Sequence, residues 1–91
     1  MNIKNLLNNT NHSLDEIINA IGFKRSGDKI IPKIEYKVDL YPSLTEERFL
    51  EVLTEYIELE IEFGKNPNYV INSLIINYED QAIFKEMLAE E

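Results

Sequence analysis

Five glutamates recur at helical spacing in the middle of the chain, and their carboxylates are the groups best placed to do chemistry. They are Glu47, Glu51, Glu55, Glu58 and Glu62. Intervals of three or four residues place them one turn apart on a single side of a helix, in a row about 22 Å long. We call this row the acidic ridge. Because no lysine interrupts it, its chemistry is electrostatic attraction to a basic surface.

The acidic ridge opposes formation of the helix that carries it. Each like-charged pair at these spacings costs about 0.2–0.5 kcal/mol, so the consecutive pairs together cost roughly 1–2 kcal/mol. Glu58 and Glu62 also lie in the negative half of the helix dipole. A total stability of about 5–15 kcal/mol tolerates this loss. Two interpretations follow: the ridge is a docking surface, or it is an ordinary solvated helix face.

The opposite side of the same helix is apolar and is predicted to face the core. The helix is predicted over residues 44–63, with Ser43 as its N-cap, Glu46 completing a capping box and Gly64 ending it. Nine apolar side chains share the inner side and are predicted to be buried: Phe49, Leu50, Val52, Leu53, Tyr56, Ile57, Leu59, Ile61 and Phe63.

Glu60 is the one carboxylate on this apolar side. Burying an unpaired carboxylate is costly, so its charge needs solvent or a partner. The favoured interpretation is that Glu60 reaches solvent near the helix end, or meets a tyrosine hydroxyl or a lysine of the preceding hairpin. The alternative is that this part of the helix is an interface, where a partner or a second copy supplies the cation.

Five of the nine basic residues cluster in one short region. They are Lys24, Arg25, Lys29, Lys33 and Lys37, and we call them the basic patch. Together with the helix before it, the patch resembles the wing of a winged-helix DNA-binding domain. Interspersed acidic residues dilute it, and no second, polar recognition helix follows closely. Nucleic-acid binding is therefore disfavoured against a solvated hairpin face or an internal counter-charge to the acidic half.

Few other residues could support catalysis. The single histidine, His12, lies in an asparagine-rich loop, and there is no cysteine, which excludes thiolate zinc sites and Cys–His dyads. The three glycines are isolated from one another, so the chain has no phosphate-binding glycine loop. The carboxylates lie along a convex helix and not in a cleft that would hold two of them in different environments. We therefore expect no enzyme, no cofactor and no metal site.

The N-terminal half is predicted to contain short helices followed by strands. Helices are expected over residues 2–22, where Ser13 caps the second helix and Gly22 ends it. A β-hairpin or meander is expected over residues 23–41. Short strands flank a turn at residues 26–28, and apolar residues alternate from residue 34 to residue 40.

The C-terminal segment 67–90 is predicted to be helical, with Pro67 at the first helical position. Two apolar stripes are separated near residues 77–80, which favours two helices over one. Together the elements predict a single small α+β domain of order roughly α-α-β-β-α-α, with a small antiparallel sheet packed on the long central helix.

The net charge of −8 is divided unevenly along the chain. Residues 1–43 carry six basic and five acidic groups, whereas residues 44–91 carry three basic and twelve acidic groups. The acidic half repels nucleic acid and anionic membranes and attracts basic proteins. Since no apolar run has the length of a signal peptide or a membrane span, we expect a cytoplasmic protein, in the host cytoplasm if a phage encodes it.

These features favour a binding module. The expectation is an inhibitor or neutralising partner of a basic, nucleic-acid-processing protein such as a nuclease, with the ridge partly mimicking nucleic-acid charge. Antitoxins, nuclease-immunity proteins and phage anti-restriction or anti-CRISPR proteins are analogous in charge and size. Two alternatives stay open: a homodimeric structural or assembly protein whose interface is the apolar side around Glu60, and a winged-helix-like DNA-binding regulator.

Overall fold

The fold is an α+β arrangement in which helices flank a two-stranded antiparallel sheet, and this confirms the predicted class. The computed structural model describes residues 2–34, 41 and 44–89. Its elements in chain order are α1 (Ile3–Thr10), α2 (Leu14–Ala20), β1 (Phe23–Ser26), β2 (Lys29–Pro32), α3 (Glu46–Glu62), α4 (Pro67–Ile76) and α5 (Tyr78–Ala89).

Polar side chains at the predicted boundaries begin the short helices. The Ser13 hydroxyl accepts a hydrogen bond from the backbone N–H of Glu16, which caps α2 as expected. The C-terminal segment forms two helices, as favoured, because Asn77 interrupts it with an extended backbone. Its side-chain oxygen then accepts from the N–H groups of Glu79 and Asp80, and so caps α5.

The hairpin has the predicted position and turn. Strands β1 and β2 pair antiparallel with Ser26 opposite Lys29, so residues 27 and 28 alone form the loop. A two-residue hairpin loop favours a positive φ, and Gly27 adopts φ +63° without the strain that a side chain would bring. The strand predicted by the alternation over residues 34–40 falls mainly on residues 35–40, which lie outside the described residues.

The start of α3 is fixed by the sheet. The backbone N–H of Ile30 donates to the carbonyl of Leu44 at 2.9 Å, and Lys29 forms a bridge with Thr45. This pairing holds the chain extended up to Thr45, which is the N-cap and accepts from the N–H of Arg48 at 3.2 Å. The helix therefore begins at Glu46, two residues later than predicted. Ser43, the predicted N-cap, lies outside the described residues.

The core lies between α3 and the elements packed around it. Phe84 of α5 is fully buried and contacts the rings of Phe49 and Tyr56 edge-on, at centroid distances of 5.4 and 5.7 Å. Such edge-on aromatic contacts add about 0.5–1.5 kcal/mol to the burial of the rings themselves. The remaining fully buried side chains include Ile17, Phe23, Ile30, Leu44, Ile71 and Leu74.

Burial along α3 ends earlier than predicted. Its inner side is buried from Phe49 to Ile57, but Leu59 is 48% exposed and Phe63 is 80% exposed. The prediction that Leu59, Ile61 and Phe63 belong to the core is therefore wrong. Position on the helix wheel shows which side is apolar, whereas burial also needs a covering element. The aromatic contacts that α5 makes with α3 reach only as far as Tyr56.

Candidate functional site

The acidic ridge lies on the solvent side of α3. All five of its glutamates are exposed. The side of the helix that carries these glutamates is held toward solvent, because Phe49, Val52 and Leu53 on the inner side of the same helix are buried. A helix held by a packed core cannot rotate these carboxylates away from solvent without exposing that apolar side.

The ridge is largely unneutralised within the described part of the chain. One ion pair reaches it, between Arg48 Nη1 and Glu51 Oε2 at 3.2 Å. For the other four glutamates, the described residues place no lysine or arginine nitrogen within 4.0 Å of the carboxylate oxygens. The described residues therefore leave most of the negative charge of the ridge without an ion-pair partner.

Glu60 is paired within the chain. Its carboxylate lies 2.7 Å from Lys65 Nζ, and its side chain is only 21% exposed. The hydrogen bond to Glu60 is the main cause of the raised pKa of Lys65. This lysine belongs to the turn after α3 and not to the hairpin. The interface around Glu60 stays a prediction, but a partner need not supply the cation.

A polar cluster that sequence reasoning missed lies where the three C-terminal helices meet. The Ser73 hydroxyl of α4 donates to the Asp80 carboxylate of α5. Tyr56 of α3 is buried nearby, and its pKa is raised by burial first and by the Asp80 and Glu60 charges next. No spacing rule links these residues, because they come from three different helices.

The basic patch is partly used for internal contacts. Arg25 Nε lies 2.5 Å from Asp15 Oδ1 on α2, and Arg25 Nη2 lies 2.9 Å from Glu46 Oε1 on α3. These hydrogen bonds, the one to Asp15 first, raise the pKa of Arg25. One basic residue of the hairpin thus links two acidic helices, as the counter-charge interpretation predicts.

The other members of the basic patch lie apart from this link. Lys33 Nζ donates to the carbonyl of Asn19 at 3.3 Å and also contacts the Asn19 side chain. Lys24 and Lys29 are exposed on β1 and β2. Lys37 lies outside the described residues. Of the described members of the patch, Arg25 and Lys33 thus make internal contacts, while Lys24 and Lys29 are exposed.

His12 connects two helices instead of standing alone in its loop. Its Nδ1 lies 2.9 Å from Glu16 Oε2 on α2, and its Nε2 lies 2.6 Å from Asn72 Oδ1 on α4. Both ring nitrogens thus face oxygen acceptors, which favours the doubly protonated imidazolium. The pKa of His12 is accordingly raised, by the Asn72 hydrogen bond first and the Glu16 hydrogen bond second. Its position indicates a structural role.

The described residues contain neither a metal-binding cluster nor a membrane-spanning helix. Among residues 2–34, 41 and 44–89, no three acidic or histidine side chains come together where they could hold a metal ion. No helix formed by these residues is both long and apolar enough to cross a bilayer.

Comparison with known proteins assigns no family to this geometry. No protein-family model, no curated protein and no solved structure matches the chain. The functional argument therefore depends on the residues and their arrangement.

Proposed function

We propose that this chain is an acidic protein-binding module that inhibits or neutralises a basic, nucleic-acid-processing protein. The docking surface is the acidic ridge. The observation that carries the proposal is the combination of exposure and missing counter-charge: five glutamates face solvent, and within the described residues only Glu51 has a cationic partner. The chain elsewhere pairs exposed charges across elements, as Arg25 does with Asp15 and Glu46.

Charge spacing supports partial mimicry of a nucleic-acid strand. The ridge carries one carboxylate per roughly 5.6 Å of helix axis. One strand of duplex DNA carries a phosphate per about 3.4 Å of axis. The ridge therefore has about 60% of the axial charge density of a single strand, and a protein groove lined with lysine and arginine would attract both.

Rigidity supports the same proposal. The ridge lies on a helix of 17 residues whose inner side is buried from Phe49 to Ile57. A backbone that is already fixed before binding loses little conformational entropy when a partner docks, so more of the attraction between the charges is converted into affinity. Complementary charge also raises association rates, which suits an inhibitor that must compete with nucleic acid.

The proposal is tested by neutralising the ridge without changing its shape. The test variant replaces Glu55, Glu58 and Glu62 with Gln. The control replaces three exposed acidic residues elsewhere, as Asp28→Asn, Glu79→Gln and Glu86→Gln. Both variants change the net charge equally, so a difference between them reports position and not total charge.

The measurement is affinity capture from host lysate at several salt concentrations, followed by identification of the captured proteins. We expect the wild type and the control variant to retain the same basic, nucleic-acid-binding protein, and the ridge variant to lose it. Added nucleic acid should displace the partner if the ridge occupies a nucleic-acid groove. Identical capture by the ridge variant would show that the ridge is only solvated surface.

A further inference from the structure

A cavity of about 410 Å³ lies between the hairpin and α5. Its buried lining residues are apolar: Ile21 before β1, Phe23 on β1 and Pro32 on β2. Protein interiors are close-packed and contain few voids larger than a water molecule. Small-molecule sites, in contrast, measure about 300–1,000 Å³ and have predominantly apolar walls. The size and the lining of this cavity are therefore those of a ligand site.

The side of α5 that lines the cavity carries short side chains. Ala82 and Ala89 are seven residues apart, which places them on one side of the helix, and both line the cavity. The Tyr41 hydroxyl donates to the backbone carbonyl of Lys85 at 3.4 Å, and the Tyr41 ring contacts Phe23 edge-on at a centroid distance of 4.9 Å. These contacts hold the hairpin against α5, while the methyl groups of the two alanines are too small to fill the space between them.

Two charged side chains also line the cavity, Lys85 and Glu86. Lys85 is half-buried and Glu86 is exposed. Among the described residues, no carboxylate oxygen lies within 4.0 Å of Lys85 Nζ. A half-buried lysine packs its aliphatic chain along apolar surface and keeps its ammonium toward water. Because surrounding water weakens charge interactions, the half-buried lysine should influence the charge of a ligand more than the exposed glutamate does.

We propose that this cavity binds a small apolar carboxylic acid. The hydrocarbon body of the ligand packs between Phe23, Tyr41 and the alanines of α5, and its carboxylate lies beside the Lys85 ammonium. Burial of the hydrocarbon supplies most of the affinity, since this term grows with the apolar area removed from water. The ammonium selects an anionic head over a neutral or cationic one. The cavity shares no residue with the acidic ridge, so this inference is independent of the proposed function.

The test uses three probes that have the same hydrocarbon body and different heads: decanoate, decanol and decylamine. Their binding to the full-length protein is followed by amide NMR spectra, which report both the dissociation constant and the residues affected. We expect decanoate to bind about three- to fivefold more tightly than decanol, and decylamine to bind least. The amide signals that shift should be those of residues lining the cavity, including Gly22, Phe23 and Ala82.

Two pairs of variants test the residues themselves. Lys85→Gln removes the ammonium and is matched by Lys29→Gln, which changes an exposed lysine of β2 outside the cavity. Ala82→Leu adds bulk within the cavity and is matched by Ala82→Ser, which adds little. Because Ala82 is exposed on a helix, leucine at this position is compatible with the fold.

The variants should affect the probes differently. We expect Lys85→Gln to weaken decanoate binding about three- to fivefold and to leave decanol binding unchanged. We expect Ala82→Leu to weaken the binding of both probes about tenfold, because its side chain occupies the space of the ligand. The two control variants should stay within about twofold of the wild type.

Several results would overturn the inference. If the three probes bind equally, Lys85 does not recognise the head of the ligand. If Ala82→Leu binds decanoate as the wild type does, or if the shifted signals come from other parts of the protein, the ligand does not enter the cavity. If no probe binds, the cavity is not a site for such molecules, and signals that instead shift with protein concentration would identify a second copy as its occupant. The proposed function stands in each case, because the acidic ridge lies outside the cavity.

Discussion

Phe49 and Phe63 are the same residue type on the apolar side of the same helix, yet their environments are opposite. Phe49 is fully buried against Phe84, whereas Phe63 is 80% exposed at the C-cap of α3. The first part of α3 is thus a core element and its end is a surface element. The difference teaches that an apolar side of a helix is buried only where another element of the fold covers it.

The charged residues at the two ends of α3 also differ in their contacts. At the start of the helix, Glu46 pairs with Arg25, and Thr45 connects the helix to β2. Toward its end, Glu58 and Glu62 face solvent without a cation from the described residues. The start of α3 is therefore tied to the hairpin, whereas the exposed carboxylates of Glu58 and Glu62 are not. Three predictions test this contrast, beginning with the largest expected effect, and a fourth concerns the contact between α2 and α4.

Removing the two phenylalanine rings should affect stability very differently. Phe49→Ala creates a cavity beside Phe84 and should lower the free energy of unfolding by about 3–5 kcal/mol. Phe63→Ala should change it by no more than about 0.5 kcal/mol, because the ring is already in water. Urea denaturation checks both variants, and Phe49→Leu provides a milder core change if the alanine variant does not fold. Equal losses would contradict the contrast.

The N-cap residue Thr45 should contribute to the free energy of unfolding. Thr45→Ala removes the hydroxyl that accepts from the N–H of Arg48, and should lower the free energy of unfolding by about 1 kcal/mol. Thr45→Ser keeps an acceptor at the same place and serves as the control. Thermal unfolding followed by circular dichroism distinguishes the two. A serine variant as unstable as the alanine variant would mean that the methyl group of Thr45, and not its cap, supports the helix.

Neutralising the end of the ridge should stabilise the fold while weakening its binding. Replacing Glu58 and Glu62 with Gln removes two like-charged contacts and two charges near the negative end of the helix dipole. The free energy of unfolding should rise by roughly 0.5–1 kcal/mol, and the increase should shrink in high salt. Urea titrations at two salt concentrations measure it. A loss of stability would show that these carboxylates make favourable contacts within the fold.

The smallest predicted effect comes from His12, on the side of the fold where α2 meets α4. Its folded-state pKa lies above the ordinary value of 6.5 because the ring nitrogens face Asn72 and Glu16. Its contribution to stability is therefore fully present below pH 6.5 and is lost as the pH rises through the folded pKa. Glu16 of α2 and Asn72 of α4 are the groups facing the ring.

The melting temperature of the wild type should consequently fall as the pH rises from about 6 toward 8. His12→Gln keeps a polar side chain but does not titrate in this range, so its melting temperature should change less. The histidine pKa itself is measured by NMR titration of the ring protons. A ring that titrates below 6.5 would contradict the arrangement in which both nitrogens donate.

Much of the local structure was predictable because its signals are local. Ser13 caps α2, Pro67 begins α4, Asn77 lies at the break predicted in the C-terminal segment, and Gly27 is in the hairpin loop. Each of these depends on the conformational preference or hydrogen-bonding capacity of one side chain. The solvent-facing position of the acidic ridge was predictable for a related reason, since helical periodicity alone sets glutamates apart from an apolar side.

Contacts between distant segments were not predictable from such signals. The start of α3 depends on pairing between Ile30 and Leu44, which moves the N-cap to Thr45. The cluster of Tyr56, Ser73 and Asp80 brings together residues of three helices, and the pair Glu60–Lys65 uses the turn after α3 and not the hairpin. Each of these contacts depends on how elements are placed against one another.

The sequence by itself determined which side chains share a side of each helix, because a regular backbone repeats its directions at a fixed period. It thereby determined that α3 would have one acidic and one apolar side. Only the tertiary structure decided how far along α3 the apolar side is covered, since burial depends on where neighbouring elements begin and end. Leu59 and Phe63 are therefore exposed, although they belong to the apolar side of the helix.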